Sequence, residues 1–419
     1  MLELVQAAIK HFKPPTSNAV DWVSAPPMAR GRQNVASRGA DAEPIAVELV
    51  NAPPFSQLRA QWLDLEACSE GSFFISWSWV SSWLQGMDPQ VRPLLLRARR
   101  GSEVVGLALW APHVGRRLRV LPTRCLHLHA TGNPDQDLIT IEHNGFLVHR
   151  EGSAQIKAAM FDGLLRETQH IDVLRMPGLA PSAAMLGSLQ KGRVLSTESR
   201  PSYNIDLAEV RRRDGNYVAL LSSNTRQQIR RSIKAYEGLG ELSLTEAPDL
   251  STAIDYLASL AALNRKRWAS ESDAGIFSRP HFAEFHRRLI GAAFADGHIQ
   301  MLRVRAGRHD VGYLYNFVHR GRVLFYQSGF DYELLAAQGR PGLVAHALSV
   351  QHNARQGHAV YDFLAGAARY KESLSTSRQP MVWAAVYRTT PAFRLEQALR
   401  SVKRRVRSAV ASLTQTTSA

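Results

Sequence analysis

The chain has 419 residues, of which 45% are hydrophobic and 21% charged, a composition that indicates a globular protein with a sizeable core and two or three domains. Lys and Arg total 51 against 36 Asp and Glu, and the net charge of +15 favours phosphates, anionic polymers or anionic lipid surfaces as partners. No apolar run approaches the roughly 18 residues that span a bilayer, and the N-terminus lacks a secretory leader pattern, so we expect a cytoplasmic protein.

The first predicted elements follow a leader without periodicity. Residues 14–44 are rich in Pro, Ala, Ser and Arg, and a disordered leader is predicted over 1–44. A strand is expected at 45–50, and two helices follow because apolar residues recur at helical spacing within 58–65 and 79–84. The aromatic residues here are interpreted as core rather than as a ligand-binding box: Phe73, Phe74, Trp77, Trp79 and Trp83.

The chain then repeats one order of predicted elements, which indicates a tandem duplication. In the first half, strands are expected at 93–99, 103–111 and 171–175, with a helix at 153–168 before the last strand. The second half repeats this with three strands, a helix and a last strand at 298–305, 310–318, 322–329, 341–356 and 360–364. We therefore expect a leader, two similar domains and a basic helical tail at 1–44, 45–200, 201–390 and 391–419.

The second half contains a helix start suited to an anion. Pro341 and Gly342 open an apolar-periodic helix directly after a strand and a short loop. Unpaired N–H groups and partial positive charge at a helix N-terminus favour a pyrophosphate there. Asp362 is expected on the neighbouring strand. Because only this half has the helix opening and the Tyr370-Lys371 pair, the site is expected in the second half or between the halves.

Two basic segments hold much of the net charge. Residues 211–234 carry seven basic residues against one acidic, and residues 394–407 carry six against one. In the predicted helix 222–238, the helical projection places Arg226 at the edge of the apolar stripe and Arg230 slightly further round. An Arg held beside the body of the protein can bind a phosphate or carboxylate through two hydrogen bonds. Both residues are therefore candidates for substrate binding.

Two aromatic residues are further candidates for a pocket wall. Trp268 ends the next predicted helix and could contact a sugar or an acyl chain, or lie in the core. Tyr315 lies on a predicted strand, either face of which could be core. The sequence leaves both alternatives open.

Together these features resemble the CelD-like branch of the GNAT acyltransferase superfamily, which is associated with cellulose and exopolysaccharide biosynthesis. The similarity covers about residues 45–390 and rests on the order and spacing of the helix 226–238, the Trp268 region, Pro341-Gly342, Tyr361–Gly366 and Tyr370-Lys371. It implies an α/β (α+β) fold of tandem GNAT-like domains, each a mixed, mostly antiparallel sheet flanked by helices. The FemABX peptidoglycan transferases share the tandem plan but use aminoacyl-tRNA.

The resemblance implies a donor and an acceptor. Acetyl-CoA or a longer acyl-CoA is expected between the fourth and fifth strands of the second domain, and the acyl group would pass to an amine or hydroxyl of a sugar or lipid-linked polysaccharide precursor. Candidate donor-binding residues are Tyr326, Gln327, Gln338, Arg340, Gly342, Leu343 and Val344, and candidate substrate-binding residues are Arg226, Arg230, Trp268 and Tyr315.

The helix start departs from the usual GNAT pyrophosphate loop. Pro341 and Leu343 occupy positions where that loop has small residues, and Pro341 has no N–H to donate. No metal is expected, because the histidines are scattered and the two cysteines, Cys68 and Cys125, are interpreted as buried thiols.

Acyl transfer from a thioester requires a deprotonated nucleophile, a polarised carbonyl and a protonated leaving thiolate. Asp362 is the candidate base or acceptor-orienting group, and a backbone N–H near Tyr326 or Gln327 would suit the oxyanion. Tyr370 or Lys371 could protonate the thiolate or bind phosphate. In the structural alternative, Asp362 pairs with Lys371 or caps the next turn.

Two other functions stay open. A FemABX-like aminoacyl-tRNA-dependent transferase is compatible with the +15 charge, because tRNA binding is strongly electrostatic. A non-catalytic binding module could also retain the fold.

The C-terminal segment predicts a membrane contact. Thr390 and Pro391 are expected to start a helix that carries Leu395 and Leu399 beside its basic residues. This pattern predicts peripheral association with an anionic surface such as the inner membrane.

Overall fold

Thirteen strands form one sheet in the computed structural model of the chain, which describes residues 43–117, 120–180, 193–269, 275–335, 339–399 and 401. The strands are β1 (Ile45–Asn51), β2 (Leu94–Arg100), β3 (Glu103–Arg117), β4 (Leu121–Leu128), β5 (Leu147–Val148), β6 (Val173–Leu179), β7 (Val194–Asp206), β8 (Leu242–Glu246), β9 (Ile299–Ala306), β10 (His309–His319), β11 (Arg322–Phe330), β12 (Val360–Ala365) and β13 (Ser377–Tyr387). Their order across the sheet is β1-β2-β3-β4-β6-β13-β7-β12-β11-β10-β9-β8, with β5 beside β3.

Helices flank this sheet. They are α1 (Phe55–Ala67), α2 (Trp77–Gly86), α3 (Ser153–Glu167), α4 (Leu207–Arg212), α5 (Ser223–Glu237), α6 (Leu250–Trp268), α7 (Pro280–Ala293), α8 (Pro341–Arg355) and α9 (Arg369–Leu374). Short 3₁₀ turns lie at Phe73–Ile75, Asp137–Ile139, Tyr217–Leu220 and Ile276–Ser278. Among the described residues, no helix is long and apolar enough to cross a membrane.

The chain ends extend beyond the described residues. Residues 391–399 are helical, as Thr390 and Pro391 predict. The rest of the predicted tail, apart from residue 401, and the predicted leader up to residue 42 lie outside the described part of the chain.

Capping side chains fix where the helices of the second half begin. The hydroxyl of Ser222 accepts a hydrogen bond from the N–H of Thr225 at the start of α5, as the sequence predicts. The carboxylate of Asp249 caps α6 in the same way by accepting from the N–H of Thr252. Helix α8 has no side-chain cap and begins with Pro341 at its first position.

The order of elements repeats once along the chain. The series β1-α1-α2-β2-β3-β4-α3-β6 returns as β8-α6-α7-β9-β10-β11-α8-β12. In each half the fourth and fifth strands, β4 with β6 and β11 with β12, pair in parallel, whereas the other named strands pair antiparallel. The predicted fold class of tandem GNAT-like halves, each with a mixed, mostly antiparallel sheet, is therefore confirmed.

Strand exchange joins the two halves into one sheet. Strand β7 follows the first half but pairs with β12, and β13, which ends the second half, lies between β6 and β7. The predicted boundary between residues 200 and 201 thus falls inside β7, and the domain limits stay predictions.

One core is common to both halves. Helices α1 and α2 of the first half and α6 and α7 of the second contribute to a single apolar cluster on one face of the sheet. The rings of Trp79 and Phe285 lie 4.9 Å apart across this contact, and Phe73 stacks on Phe317 at 4.5 Å. The aromatic group predicted as core is buried here, whereas Cys68 is only partly buried.

We expect Gly329→Ala to destabilise the protein, because α6 touches β11 at this glycine. A Cβ at Gly329 would lie 2.3 Å from the backbone oxygen of Leu260, so the helix would have to move, at a cost of about 1–3 kcal/mol. Gly291→Ala in α7 is the control, since its Cβ would meet nothing within 4 Å and should leave stability unchanged or raise it by about 1 kcal/mol. Equal melting temperatures for the two variants would contradict this packing.

Candidate functional site

A cavity of about 1000 Å³ opens in the second half where β11 and β12 separate. The two strands pair only from Arg322 with Val360 to Leu324 with Asp362. Beyond that point the cavity is bordered by the end of β11, the starts of α5 and α8, the end of α6, and α9. Its lining is Ser222, Asn224, Thr225, Gln228, Leu263, Asn264, Arg267, Trp268, Ile276, Gln327, Ser328, Gly329, Phe330, Tyr332, Gly339, Arg340, Pro341, Gly342, Leu343, His346, Arg369, Tyr370, Glu372 and Ser373.

The charged lining of the cavity is mainly cationic. Arg267, Arg340 and Arg369 have no ion-pair partner among the residues that the structure describes, and the guanidinium of Arg267 lies 5.0 Å from the ring centre of Tyr332. Glu372 is the single carboxylate among the described lining residues. Three unpaired guanidinium groups around one cavity favour a ligand with phosphate or carboxylate groups.

The start of α8 faces the cavity but offers fewer free amides than the sequence predicts. The N–H groups of Leu343 and Val344 both donate to the carbonyl of Arg340, at 3.0 and 3.2 Å. Pro341, at the first position of α8, has no N–H to donate. An anion can reach these two N–H groups only by sharing them with that carbonyl, so the arginines have to supply more of its binding.

A buried tyrosine and histidine pair forms part of the wall. The rings of Tyr370 and His346 stack with centres 5.7 Å apart, and the Tyr370 hydroxyl has no hydrogen-bond partner among the described residues. Burial lowers the pKa of His346 to about 3, so its imidazole is neutral at physiological pH. Burial also raises the pKa of Tyr370, so its hydroxyl keeps its proton and can donate a hydrogen bond.

Six of the predicted site residues line this cavity. They are Trp268, Gln327, Arg340, Gly342, Leu343 and Tyr370. Trp268 also packs against the large core, so both interpretations of it hold. Gln338 lies outside the described residues.

Other predicted residues point elsewhere. Tyr315 is in the core with its hydroxyl 3.4 Å from Nδ1 of His286, and Tyr326 donates its hydroxyl to the carbonyl of Ile139. Val344, on the inner face of α8, is fully buried in the core.

Helix α5 presents a different stripe to the cavity from the predicted one. Asn224, Thr225 and Gln228 line the cavity, whereas Arg226 donates to the carbonyl of Ala219. Arg230 is exposed and, like Arg226, is absent from the cavity lining. The helical projection places Arg226 at one edge of the apolar stripe of α5. That stripe faces the core, and the cavity lies along its other edge.

Asp362 lies outside the cavity lining, in a buried ionic cluster between the halves. Its carboxylate is 3.0 Å from Nε2 of His143 and 2.9 Å from Nη1 of Arg322, and it accepts hydrogen bonds from the Ser202 hydroxyl and the Leu364 N–H. Burial by itself would raise the pKa of Asp362, but the hydrogen bond from His143 and the charges of His143 and Arg322 hold it below its ordinary value. The carboxylate is thus ionised and already paired.

Lys371 is directed to the backbone rather than to Asp362. Its Nζ donates to the carbonyls of Leu364 and Ala365, at 3.3 and 2.8 Å, while Glu142 from the first half accepts from the Ala365 N–H at 2.6 Å. Burial lowers the pKa of Lys371 to about 8 and raises the pKa of Glu142 to about 7. The structural alternative in which Asp362 pairs with Lys371 is wrong, because Lys371 donates to backbone carbonyls while Asp362 contacts His143 and Arg322 and accepts from the Leu364 N–H.

The corresponding gap in the first half is closed. The side-chain amide of Asn144 donates to the carbonyls of Leu128 on β4 and Pro177 on β6, at 3.1 and 3.0 Å. The backbone N–H of Asn144 also donates to the carbonyl of Gly178. One side chain therefore bridges the two strands at the position where the second half has its cavity.

Sequence reasoning missed several residues of this region. Glu142 and His143 come from a first-half loop in which Thr140 and His143 have positive φ, and no local pattern indicates that this loop reaches β12. Arg369 and Glu372 flank the predicted Tyr370-Lys371 pair, and that position was the available signal for them.

Comparison with known proteins agrees with this geometry. Residues 223–372 match a family model described as "Acetyltransferase (GNAT) domain". The second half has a GNAT-type acyltransferase fold. No curated protein matches the chain.

Solved structures resemble the chain along most of its length. FemX is 10% identical, with 80% of this chain and 96% of that chain covered and a TM-score of 0.50, a similarity of fold. The structure of L-PGS from Bacillus licheniformis is 10% identical over 85% of this chain and 98% of that chain, with a TM-score of 0.47. A tandem GNAT protein from the clavulanic acid biosynthesis pathway is 15% identical over 81% and 98%, with a TM-score of 0.39.

We expect Asp362→Asn to lower stability but to preserve turnover per folded molecule. The amide cannot pair with the Arg322 charge, and because the Arg322 side chain is itself 38% exposed, the loss costs about 1–3 kcal/mol. Asp310→Asn, which removes a more exposed pair with Arg303, is the control and should change stability by about 1 kcal/mol or less. Melting temperature and initial rate are measured on the same preparation. A stable Asp362→Asn protein with turnover reduced about 100-fold would instead support the role of general base.

Proposed function

We propose that the chain is an acyltransferase that moves an acyl group from an acyl-CoA to an amine or hydroxyl of a sugar or polysaccharide precursor. The acyl-CoA donor is supported by the cavity between β11 and β12, which opens beside the start of α8 within the stretch that matches the GNAT domain. The acceptor class and its place in exopolysaccharide or envelope biosynthesis rest on the resemblance to the CelD-like branch.

The cavity has suitable partners for each part of such a donor. The pyrophosphate would lie at the start of α8, near Gly342 and the guanidinium of Arg340, with Arg267 and Arg369 available for phosphate oxygens. After Leu324, β11 has no pairing with β12, so the backbone of Gln327–Phe330 can hydrogen-bond the amides of a pantetheine arm.

The reaction needs few groups beyond this positioning. The acceptor lone pair attacks the thioester carbonyl, the tetrahedral intermediate collapses, and the carbon–sulfur bond breaks to release a thiolate. The neutral hydroxyl of Tyr370 would donate a hydrogen bond to the developing thiolate, and Glu372 would take the proton that the acceptor loses. Help of this kind contributes about 100 to 10,000-fold.

One observation favours a second candidate, a transferase that takes its acyl group from aminoacyl-tRNA. Arg230, Arg231 and Lys234 on α5 are exposed and have no ion-pair partner in the described part of the chain. Such a basic surface beside the cavity would bind a polyanion such as tRNA, whereas binding of a small thioester does not require it. Incubation of the pure protein with acetyl-CoA, longer acyl-CoAs and charged tRNA, each with radiolabelled acyl group, separates the two candidates.

We expect Gly342→Asp to abolish binding of coenzyme A in isothermal titration calorimetry, because a carboxylate would enter the anion site. Gly342→Asn is the matched control, since it has the same shape without the charge and places its Cβ at the same 3.3 Å from the Phe330 ring. The Asn variant should keep binding within about tenfold, as one neutral side chain costs little beyond the contact. Equal affinities for the two variants would move the pyrophosphate away from α8.

We expect Tyr370→Phe to reduce kcat about 100-fold with unchanged melting temperature and unchanged affinity for the donor. The hydroxyl has no hydrogen-bond partner among the described residues, so its removal leaves no partner unsatisfied. Tyr256→Phe, at a half-buried position of α6 outside the cavity lining, is the control and should leave kcat unchanged. Normal turnover in the Tyr370 variant would exclude this hydroxyl from the reaction.

A further inference from the structure

Exposed apolar side chains are concentrated at one end of the first half. Val114 and Val120 are 69% and 72% exposed where β3 meets β4, and Leu121 is exposed beside them. Leu395 and Leu399, at 52% and 49%, lie on the helical segment 391–399. We call these five residues the hairpin-helix surface. They make up most of the large hydrophobic side chains that are exposed in the described part of the chain.

A buried ion pair fixes the two elements of this surface against each other. Nε of Arg117 on β3 lies 2.8 Å from the Glu396 carboxylate of the helical segment, and both side chains are buried. The same guanidinium lies 5.3 Å from the ring centre of Phe393 and 5.9 Å from that of Tyr387. The helix is therefore anchored on the face of the hairpin that carries Arg117 and its register partner Leu121, whereas Val114 faces the other side of the strand. The exposed apolar side chains thus lie on both faces of the hairpin end and on the helix anchored beside it.

The two elements of this surface also carry exposed arginine side chains. Arg116 is exposed on the same face of β3 as Val114, because alternate residues of a strand share a face. Arg394 is exposed on the helical segment, and neither arginine has an ion pair among the described residues. The surface thus combines aliphatic side chains with unpaired positive charge.

This combination of aliphatic and cationic side chains fits a lipid bilayer better than it fits a nucleic acid or a second copy of the chain. A nucleic acid would use the arginines but would leave the aliphatic side chains in water. A second copy of the chain would bring Arg116 and Arg394 against like charges across a twofold interface. At an anionic bilayer, aliphatic side chains enter the headgroup and acyl boundary while arginines bind phosphates.

We propose that the hairpin-helix surface binds the face of an anionic lipid bilayer, so that the β3 and β4 hairpin and the C-terminal helix act together as a peripheral membrane anchor. The proposal extends the sequence prediction for the helix to a second element, the hairpin. It is independent of the acyl-transfer proposal, because the surface belongs to the first half and to the C-terminal segment.

The test is sedimentation of the full-length protein with vesicles. Equal parts of phosphatidylglycerol and phosphatidylcholine form the anionic vesicles, and phosphatidylcholine alone forms the neutral ones. We expect binding to the anionic vesicles that Val114→Asp with Val120→Asp weakens at least tenfold, and that Leu395→Asp with Leu399→Asp weakens similarly. Arg116→Gln and Arg394→Gln should each weaken binding about fivefold.

Matched controls and contrary outcomes are available. Val194→Asp with Leu250→Asp changes two equally exposed aliphatic residues elsewhere, both 42% exposed, and should bind like the unaltered protein. Melting temperatures show whether each variant is folded. Absence of binding to anionic vesicles, or hairpin variants that bind normally, would overturn the proposal. A dimer that the hairpin variants dissociate would assign the surface to a second copy instead. Activity with soluble substrates should be unaffected in every variant.

Discussion

The separation of β11 and β12 after three paired residues is the constraint on which the site depends. A strand that leaves its partner exposes backbone N–H and C=O groups, and buried groups of this kind have to be paired. At the end of β12 the Leu364 N–H is bound by Asp362, the Ala365 N–H by Glu142, and both carbonyls by Lys371. Leu364 itself has φ of 61°, as expected where the strand breaks its regular pairing. The buried charges around β12 thus hold the gap open, and this explains why they lie beside the cavity without lining it.

The first half meets the same constraint in another way. Strands β4 and β6 also pair in parallel and then part, but Asn144 reaches across and binds a carbonyl of each strand. A neutral amide satisfies both strands and fills the space that a ligand would need. The loop that carries Asn144 continues into Glu142 and His143, which bind the second half. The loop that closes the gap between β4 and β6 therefore also supports the gap between β11 and β12.

The site consequently depends on both halves. The exchange of β7 and β13 leaves neither half with a complete sheet of its own, and α1, α2, α6 and α7 share one apolar cluster. Tyr326, on the strand that borders the cavity, donates its hydroxyl to the Ile139 carbonyl of the first half. A change in the first-half loop can therefore alter the cavity without touching it.

Periodicity, capping residues and the repeated order of elements predicted the tandem plan and many of its helices and strands from the sequence alone, but not β4, β7, β8 or β13. The helix start at Pro341, the cap at Ser222 and the strand that carries Asp362 all lie where local pattern predicted them. These features depend on neighbours in the chain, within reach of one or two turns. Tyr370, a candidate from the Tyr370-Lys371 pair, lines the cavity, and its catalytic role stays a prediction.

Only the tertiary structure decided what the charged residues do. Asp362 was a candidate base by type and position, yet its partners His143 and Ser202 come from distant parts of the chain. The cavity faces Asn224 and Gln228 rather than Arg226, because the apolar stripe of α5 is turned towards a core that both the sheet and α8 complete. Periodicity identifies which face of a helix is apolar. Which edge of that face borders a cavity depends on elements that pack against the helix from elsewhere in the chain, and the spacing of residues within the helix does not indicate where those elements lie.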